Sequence, residues 1–262
     1  MDEWRFIESG PCPAAMNMAI DEALAHSVRE GASPPALRVY EWTIPSVSIG
    51  CFQKIDAVNL PCCADLRIPV VRRPTGGRAV LHGDELTYSF SAPTGAGPFS
   101  KGLMDSYRQI GRAFCRAVSA LGAQAEARTT RDQREGSRNP LCFHSASFAE
   151  ITVLNRKLVG SAQKRWRDGL LQQGSIPYTL GEALMRKVFN IDTSADLTAR
   201  MLGLREVVPD LDPAHFRETV RRAFEETFGV RLTPSALSRE ESLHASELEA
   251  RKYQSRAWTL QR

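Results

Sequence analysis

The hydrophobic positions along the chain change their spacing several times, and these changes predict where strands give way to helices. Short segments of alternating apolar and polar residues, rich in β-branched side chains, predict strands at 4–9, 36–42, 46–50, 70–71, 79–81, 86–91 and 147–154. Apolar residues three or four positions apart predict helices at 13–28, 98–121, 181–189 and 197–202. This order favours an α+β fold with mostly antiparallel sheets flanked by helices.

The last fifty residues carry a helical pattern. PAHFRETVRRAFEETFG ends at Gly229, which is typical of a helix C-terminus, and SREESLHASELEARKY has an acidic beginning and a basic end that suit the helix dipole. We therefore expect a main domain over 1–210 and a helical C-terminal extension over 211–262 packed on it. The helix at 13–28 has a polar side with Asn17, Asp21 and Glu22. That side either lines a site or faces water, and water is the preferred prediction.

Composition excludes several classes of protein. The 262 residues carry 34 Lys and Arg against 30 Asp and Glu, a net charge of +4, which favours acidic protein partners. No Lys/Arg run resembles a nucleic-acid arm. The acidic N-terminus MDEWRFIESG and the lack of a long apolar window predict neither a signal peptide nor a membrane anchor. Six scattered cysteines without a CxxC pair favour a reducing cytoplasm and argue against structural zinc or disulfides.

One stretch, 139–175, brings together a thiol, an amine and two glycine-containing segments. Cys142 lies in a turn, a strand follows, and Asn155-Arg156 predicts a tight turn back into a second strand that contains Lys157. If the two strands form a hairpin, Cys142 and Lys157 approach each other. A thiolate beside an ammonium has a lowered pKa and attacks thioesters, whereas the alternative is a buried cysteine and a solvated lysine.

A second stretch, PVVRRPTGGRAVLHGDELTYSFSA, contains two adjacent glycines between arginines. Backbone N–H groups beside positive charge suit an anion or a carbonyl that develops negative charge. Taken alone, Gly76-Gly77 favours a hairpin turn, and His82 is either an acid/base group or a turn residue, of which the turn is favoured. The segment is neither a Walker A loop nor a dinucleotide fingerprint, because the GK[ST] ending and the GxGxxG spacing are absent.

These motifs together resemble a known family. RRPTGGRAVLHGDELTYS, NPLCF, NRKLVGSAQKR, LQQGSI and the closing KYQSRAWTLQR, in this order, are similar to the biotin/lipoate protein ligase superfamily. Within it, they most resemble the cysteine-containing octanoyltransferases of lipoate biosynthesis. The resemblance covers nearly the whole chain. It implies the catalytic-domain fold of that superfamily, with 1–210 as the acyltransferase domain.

The resemblance also implies an activity and its residues. An octanoyl group would pass from octanoyl-acyl carrier protein to Cys142 and then to a lysine of a lipoyl domain, such as the glycine-cleavage H protein or a 2-oxoacid dehydrogenase E2. Lys157 would assist the thiolate, and neither ATP nor a metal is expected. An apolar tunnel would hold the chain, and burying roughly seven carbon groups contributes about 5 kcal/mol. The expected substrate-binding residues are Arg72, Arg73, Thr75, Gly76, Gly77, Arg78, His82, Gly160, Ser161, Ala162, Gly174 and Ser175.

Three alternatives remain open. A lipoate–protein ligase shares the fold and the lysine but uses ATP and Mg²⁺. Ligases of this kind commonly have a third glycine where Arg78 stands, do not depend on a cysteine at 142, and often carry a longer C-terminal accessory domain. An amidotransferase acting between two lipoyl domains would use the same Cys142 and Lys157. A non-catalytic module that binds lipoyl domains or carrier proteins is disfavoured because both residues are present in motif context.

Overall fold

The computed structural model describes residues 1–127, 150–192 and 194–261. The strands found there are β1 (Glu3–Cys12), β2 (Ala36–Trp42), β3 (Ser46–Ile49), β4 (Val70–Arg72), β5 (Val80–His82), β6 (Glu85–Pro93), β7 (Ala125–Ala127), β8 (Ile151–Val153), β9 (Arg156–Arg165), β10 (Gly169–Pro177) and β11 (Arg231–Pro234). The α-helices are α1 (Ala14–Arg29), α2 (Leu60–Asp65), α3 (Leu103–Ala120), α4 (Glu182–Phe189), α5 (Pro213–Phe228), α6 (Arg239–Leu248) and α7 (Arg256–Thr259).

The strands form two sheets. The larger has the order β11-β1-β2-β6-β10-β9-β8-β7, and the smaller has the order β4-β3-β5. Strand β1 runs parallel to both β2 and β11, and β3 runs parallel to β4; the other pairs are antiparallel. The predicted α+β class with mostly antiparallel sheets flanked by helices is therefore confirmed.

Both faces of the large sheet are covered, and β6 shows how the sequence specifies this. Leu86, Tyr88 and Phe90 point into the main hydrophobic core, which also contains apolar residues of α3 and α5. The alternate residues Thr87 and Ser89 are equally buried but polar, and they face the side on which α1 packs. A strand buried on both faces normally reads as a continuous apolar run. This polar stripe therefore marks a site on the α1 side.

The polar side of α1 is buried, so the prediction that it faces water is wrong for two of its three residues. Asn17 and Asp21 have 0% exposure. The guanidinium of Arg38 donates to Asp21 Oδ1 at 2.7 Å and to Asn17 Oδ1 at 2.7 Å. Buried polar groups are retained where such partners satisfy them. Glu22 lies at the edge of this face and accepts hydrogen bonds from Lys252.

The helix predicted at 197–202 is also wrong. Residues 198–200 form turns; Leu197 accepts from the N–H groups of Arg200 and Met201, and the backbone then bonds to β9 instead of continuing as a helix. The N–H of Lys157 donates to the carbonyl of Arg200, and the N–H of Leu202 donates to the carbonyl of Lys157. Local apolar spacing predicted a helix, but the open edge of a strand supplied better backbone partners. Met201 consequently lies beside Lys157.

The C-terminal segment contributes to the same sheet and core. Strand β11, which the helical pattern did not reveal, pairs with β1, and Phe216, Val220 and Phe224 of α5 join the main core. Gly229 adopts φ +66° at the end of α5, as its position predicted. The division into 1–210 and 211–262 stays a prediction. None of the helices in the described ranges combines the length and apolarity that crossing a membrane requires.

Candidate active site

A narrow cavity lies between the small sheet, the polar face of the large sheet and α1. It has a free volume of about 30 Å³. Seven of the residues predicted from sequence to bind substrate line it: Arg73, His82, Gly160, Ser161, Ala162, Gly174 and Ser175. The flexible side chain of Met18 forms part of its wall. We call this space the acyl cavity, after the group that the sequence resemblance predicts for it; an eight-carbon chain would enter it only if wall side chains such as Met18 rotate.

The Gly-Gly loop is held over this cavity by the guanidinium of Arg73. Its Nη2 donates to the carbonyl oxygens of Gly76 and Arg78, each at 2.7 Å, and its Nη1 donates to the carbonyl of Ser48 at 3.1 Å. Gly77 has φ +85°, and a methyl group added there would lie 3.4 Å from Cβ of Ala162 on β9. The loop therefore packs closely against β9 at the edge of the cavity, and Arg73 is the side chain of this segment that lines it.

Two other predicted residues of this segment lie in different settings. Arg72 is fully buried and donates to the carbonyls of Gly50, Gln53 and Thr259, so its guanidinium lies between the segment after β3 and the C-terminal segment. Arg78 is half-buried, and its backbone carbonyl accepts one of the hydrogen bonds that Arg73 donates.

Thr75 connects the loop to the large sheet. Its hydroxyl donates to Oε1 of Gln173 at 2.8 Å, and Nε2 of Gln173 donates to Oδ2 of Asp21 at 2.7 Å. Asp21 also accepts from Tyr40 at 2.9 Å and Ser89 at 2.6 Å. Such satisfied buried networks fix one geometry. The loop is thus tied to α1 through a chain of side chains that sequence reasoning did not identify.

His82 lies at one end of the cavity in a second buried network. Its Nδ1 is 2.7 Å from Oε1 of Glu85, and its Nε2 is 2.7 Å from Oγ of Ser48. The ring stacks on Trp42 with centroids 4.0 Å apart. Because an ionised carboxylate only accepts hydrogen bonds, Nδ1 carries a proton. The imidazole is therefore held in one orientation at the cavity wall.

Glu85 keeps its charge despite its burial. Burial by itself raises the pKa of this carboxyl, but the charge of His82 and hydrogen bonds from His82, Thr87 and Ser175 outweigh it, so the pKa is lowered. Ser175 donates to Oε2 at 2.8 Å. The signal that could have revealed this cluster is the buried polar stripe of β6, in which Glu85, Thr87 and Ser89 alternate with apolar residues.

The predicted hairpin is confirmed, because β8 and β9 are antiparallel. The turn lies at Leu154 and Asn155, both with positive φ, one residue earlier than the predicted Asn155-Arg156, and Arg156 already belongs to β9. Lys157, near the beginning of β9, is 4% exposed, and its ammonium donates to the carboxylate of Glu150. Glu150, itself 4% exposed, was not identified from sequence. Cys142 lies outside the described residues.

Two cysteines in the described part of the chain, Cys63 and Cys115, differ from a reactive thiol. Burial raises the pKa of Cys63 to about 11, with a contribution from Cys62, and it raises the pKa of Cys115 to about 11, with a contribution from Glu126. Thiols with these pKa values are protonated at neutral pH and are poor nucleophiles. Within the ranges that the structure describes, no cluster of three His, Cys, Asp or Glu side chains could hold a metal ion.

A second cavity of about 280 Å³ lies next to the acyl cavity and shares His82 and Ser175 with it. Its wall is formed largely by apolar side chains of α4 and its surroundings, including Leu184, Met185 and Met201. Together, the two cavities offer a slot beside a cationic, hydrogen-bonded loop and a wider apolar space, with a fixed imidazole between them. This arrangement suits two substrates that meet at one reacting carbonyl.

Comparison with known sequences relates the chain to enzymes of one kind. The model of the lipoyl protein ligase A/B catalytic domain matches residues 13–225. The chain is 34% identical to the octanoyltransferase LipM of Geobacillus kaustophilus over 99% of its length and 98% of that protein. It is 36% identical to the octanoyltransferase LipM of Moorella thermoacetica, over 100% of this chain and 99% of that one.

Solved structures show the same fold. A crystal structure of lipoate-protein ligase A bound with ATP superposes with a TM-score of 0.84 at 23% identity, covering 98% of each chain. The structure of Ta0514, a putative lipoate protein ligase from T. acidophilum with bound lipoic acid, gives a TM-score of 0.82 at 23% identity, over 99% of this chain and 100% of that one. At this identity, the likeness establishes the architecture alone.

Proposed function

The chain belongs to the lipoyl protein ligase A/B catalytic-domain family, and on that premise we propose that it is an octanoyltransferase of lipoate biosynthesis. Its relatives at 34% and 36% identity over the full length carry this name. The observation that carries the proposal is the acyl cavity, in which Arg73 and His82 face Gly160, Ser161 and Ala162 of the strand that contains Lys157.

The proposed reaction has two steps. The thiolate of Cys142 attacks the thioester carbonyl of octanoyl-acyl carrier protein; a new C–S bond forms, the old one breaks, and the carrier thiolate leaves and takes up a proton. The ε-amine of an acceptor lysine then attacks the acyl-enzyme. A C–N bond forms, the bond to Cys142 breaks, and the proton lost by the amine balances the charge on the released thiolate. Lys157 would favour the ionised thiol and exchange protons with it.

In this proposal, Arg73 assists the reaction of octanoyl-acyl carrier protein by fixing the Gly-Gly loop. Its donors are bonded to the carbonyls of Ser48, Gly76 and Arg78, which leaves the backbone of the loop in a single conformation above the cavity. We propose that loop N–H groups beside Gly76 and Gly77 stabilise the oxyanion that forms on the thioester carbonyl. Neither step needs ATP or a metal, and the acceptor would be a lipoyl domain of the H protein or of an E2 subunit. These partners place the reaction in the cytoplasm.

The test is a transfer assay without nucleotide. Octanoyl-acyl carrier protein and apo-H protein are incubated with the enzyme, and intact mass measures octanoylation of the H protein. We expect transfer without ATP. If the enzyme instead forms lipoyl-AMP from lipoic acid, ATP and Mg²⁺ and does not use the carrier thioester, it is a ligase and the proposal fails. An octanoylated lipoyl domain offered as donor tests the amidotransferase alternative.

A second experiment addresses the nucleophile. Wild-type enzyme should form a hydroxylamine-labile adduct in which an octanoyl group replaces the thiol hydrogen and raises the mass of the enzyme by about 126 Da. Cys142→Ala should abolish this adduct. Cys115→Ala is the matched control, because that thiol is held protonated and should leave the adduct in place. An adduct of equal yield on Cys142→Ala would remove Cys142 from the mechanism.

A further inference from the structure

The second cavity has no role in the binding of the octanoyl chain described so far. It shares His82 and Ser175 with the acyl cavity, and Glu85 lines it from the same polar network. Its volume of about 280 Å³ is close to the lower limit for small-molecule sites, near 300 Å³. The two spaces therefore meet at a wall of hydrogen-bonded side chains.

Strand β9 connects the two cavities. Gly160, Ser161 and Ala162 line the acyl cavity, whereas Met201, the backbone neighbour of Lys157, lines the second cavity. Lys157 and Gly160 are three residues apart, roughly 10 Å along a strand. Lys157 thus lies between residues that line the two cavities. If it acts at the reacting carbonyl, we expect that carbonyl at the junction of the cavities, with the octanoyl chain in the acyl cavity. The second cavity is then the approach for another substrate.

The ionisable side chains of the two cavities differ, and this difference indicates which substrate the second cavity binds. Apart from the phenol of Tyr40, the ionisable side chains that line the acyl cavity are Arg73 and His82, whereas those of the second cavity are His82, Asp84 and Glu85. Asp84 is paired with Arg205 at 2.6 Å, and Glu85 is a buried carboxylate that is hydrogen-bonded by His82 and Ser175. The polar end of the second cavity thus presents carboxylates, whereas the acyl cavity presents a guanidinium. Such a site attracts a cation and disfavours an anionic, phosphate-bearing arm.

The remaining wall suits an alkyl stem. Leu81, Leu184 and Met185 give the cavity an apolar lining, and methionine adapts to a flexible chain. A lysine side chain combines four methylene groups with a cationic amine. We propose that the second cavity receives the side chain of the acceptor lysine, with the stem against α4 and the amine directed to the wall formed by His82 and Glu85. This inference rests on the proposed function, because it presumes an acyl-enzyme that an amine discharges.

The experiment separates the two half-reactions. Enzyme is first acylated by octanoyl-acyl carrier protein, and the octanoyl-enzyme is then mixed with apo-H protein or with hydroxylamine, a small uncharged nucleophile. Leu184→Trp fills the cavity, while Ala183→Trp adds the same ring at an exposed neighbouring position of α4. For Leu184→Trp we expect the rate of transfer to H protein, relative to discharge by hydroxylamine, to fall at least about tenfold. Ala183→Trp should leave that ratio unchanged.

Two outcomes would overturn the inference. One is a wild-type ratio for Leu184→Trp; the other is a loss confined to acylation by the carrier protein, which would assign the cavity to the donor's arm. If wild-type enzyme forms no octanoyl adduct, the proposed function fails instead, so the two failures are distinguishable. A competition experiment on the wild-type enzyme tests the inference even if Leu184→Trp does not fold. Pentylamine should compete with H protein at lower concentration than 1-pentanol does, and equal inhibition by both would contradict a site for a cationic amine.

Discussion

The ammonium of Lys157 is bonded to the carboxylate of Glu150, and both side chains are about 95% buried. Glu150 directly precedes β8, and Lys157 is the second residue of β9, so the pair joins the two strands of the hairpin at their side chains. Burying two charges is costly unless each compensates the other. Glu150 therefore fixes the ammonium of Lys157 in a nearly dry environment, which is the setting in which the proposed mechanism requires this lysine to assist Cys142.

This relationship predicts a specific pattern of stabilities. Lys157→Met and Glu150→Gln should each lower the free energy of unfolding by about 3 kcal/mol, because each leaves a buried charge without its partner. The double variant should lose less than the sum of the two, as urea unfolding can measure.

Lys157→Met should also slow acylation about 100-fold or more. Lys164→Met, at a half-buried position on the same strand, is the control; an equal loss there would deny Lys157 a special role.

The two adjacent glycines predict unequal effects of the same substitution. Gly77 has φ +85°, and a methyl group on it would lie 2.8 Å from Nη2 of Arg73, the group that holds the loop. Gly77→Ala should therefore cost about 1–2 kcal/mol in backbone strain and displace the Arg73 guanidinium. At Gly76 the nearest atom to such a methyl group is 4.0 Å away, on Phe52.

The measurement compares single-turnover acylation of the two variants. We expect Gly77→Ala to be slowed about tenfold or more, because the loop over the acyl cavity loses its geometry. Gly76→Ala should stay within about twofold of wild type. Equal rates for both variants would show that the position of the loop does not limit acylation.

The sequence predicted what depends on local pattern, and it missed what depends on contacts between distant segments. Strands and the larger helices followed from spacing, and the resemblance placed Arg73, His82 and Gly160 in a common site before the structure brought them to one cavity. Burial of Asp21 could not be predicted, because its partners Arg38 and Gln173 are 17 and 152 residues away. The sequence pattern of a polar helix face is the same whether water or another side chain provides its hydrogen-bond partners.

The same limitation explains the errors near the site. The apolar residues at 197–202 have helical spacing, but their backbone completes the edge of β9 beside Lys157. Arg72 and Arg73 are adjacent and chemically identical, yet the alternation of side chains places one guanidinium under the Gly-Gly loop and the other against the C-terminal segment. Only the sheet register distinguishes them.

Glu85 predicts how stability depends on pH. Although burial raises the pKa of this carboxyl, the charge of His82 and hydrogen bonds from His82, Thr87 and Ser175 lower it on balance in the folded protein. A carboxyl with a lowered folded pKa stabilises the protein above its unfolded pKa, near 4.3, and this contribution is lost as the pH falls through the folded pKa. Glu85→Gln, which presents an amide to three donors, should therefore lower the free energy of unfolding by about 2–4 kcal/mol at pH 7.

Urea unfolding of wild type and Glu85→Gln between pH 3.5 and 7 checks this sign. The difference between the two proteins should be constant above about pH 5 and shrink below about pH 4. Glu182→Gln, a substitution of a half-buried helix-surface carboxylate, is the matched control and should show a much smaller difference. A gap that widens towards low pH would mean that Glu85 is protonated in the folded state.

The C-terminal segment should stabilise the strand that leads into the Gly-Gly loop, because Arg72 and Trp258 bond to each other's backbone. Nε1 of Trp258 donates to the carbonyl of Arg72 at 2.8 Å, and Nε of Arg72 donates to the carbonyl of Trp258 at 3.2 Å. Nη2 of Arg72 also donates to the carbonyl of Thr259 at 2.9 Å. Deleting residues 256–262 removes these acceptors from a fully buried guanidinium and should cost about 2–3 kcal/mol by urea unfolding. Trp258→Phe, which removes only the indole donor, should cost about 1 kcal/mol. Since Arg73 follows Arg72 directly, the deletion should also slow acylation, and full activity in a destabilised deletion variant would show that the loop is positioned independently of the C-terminus.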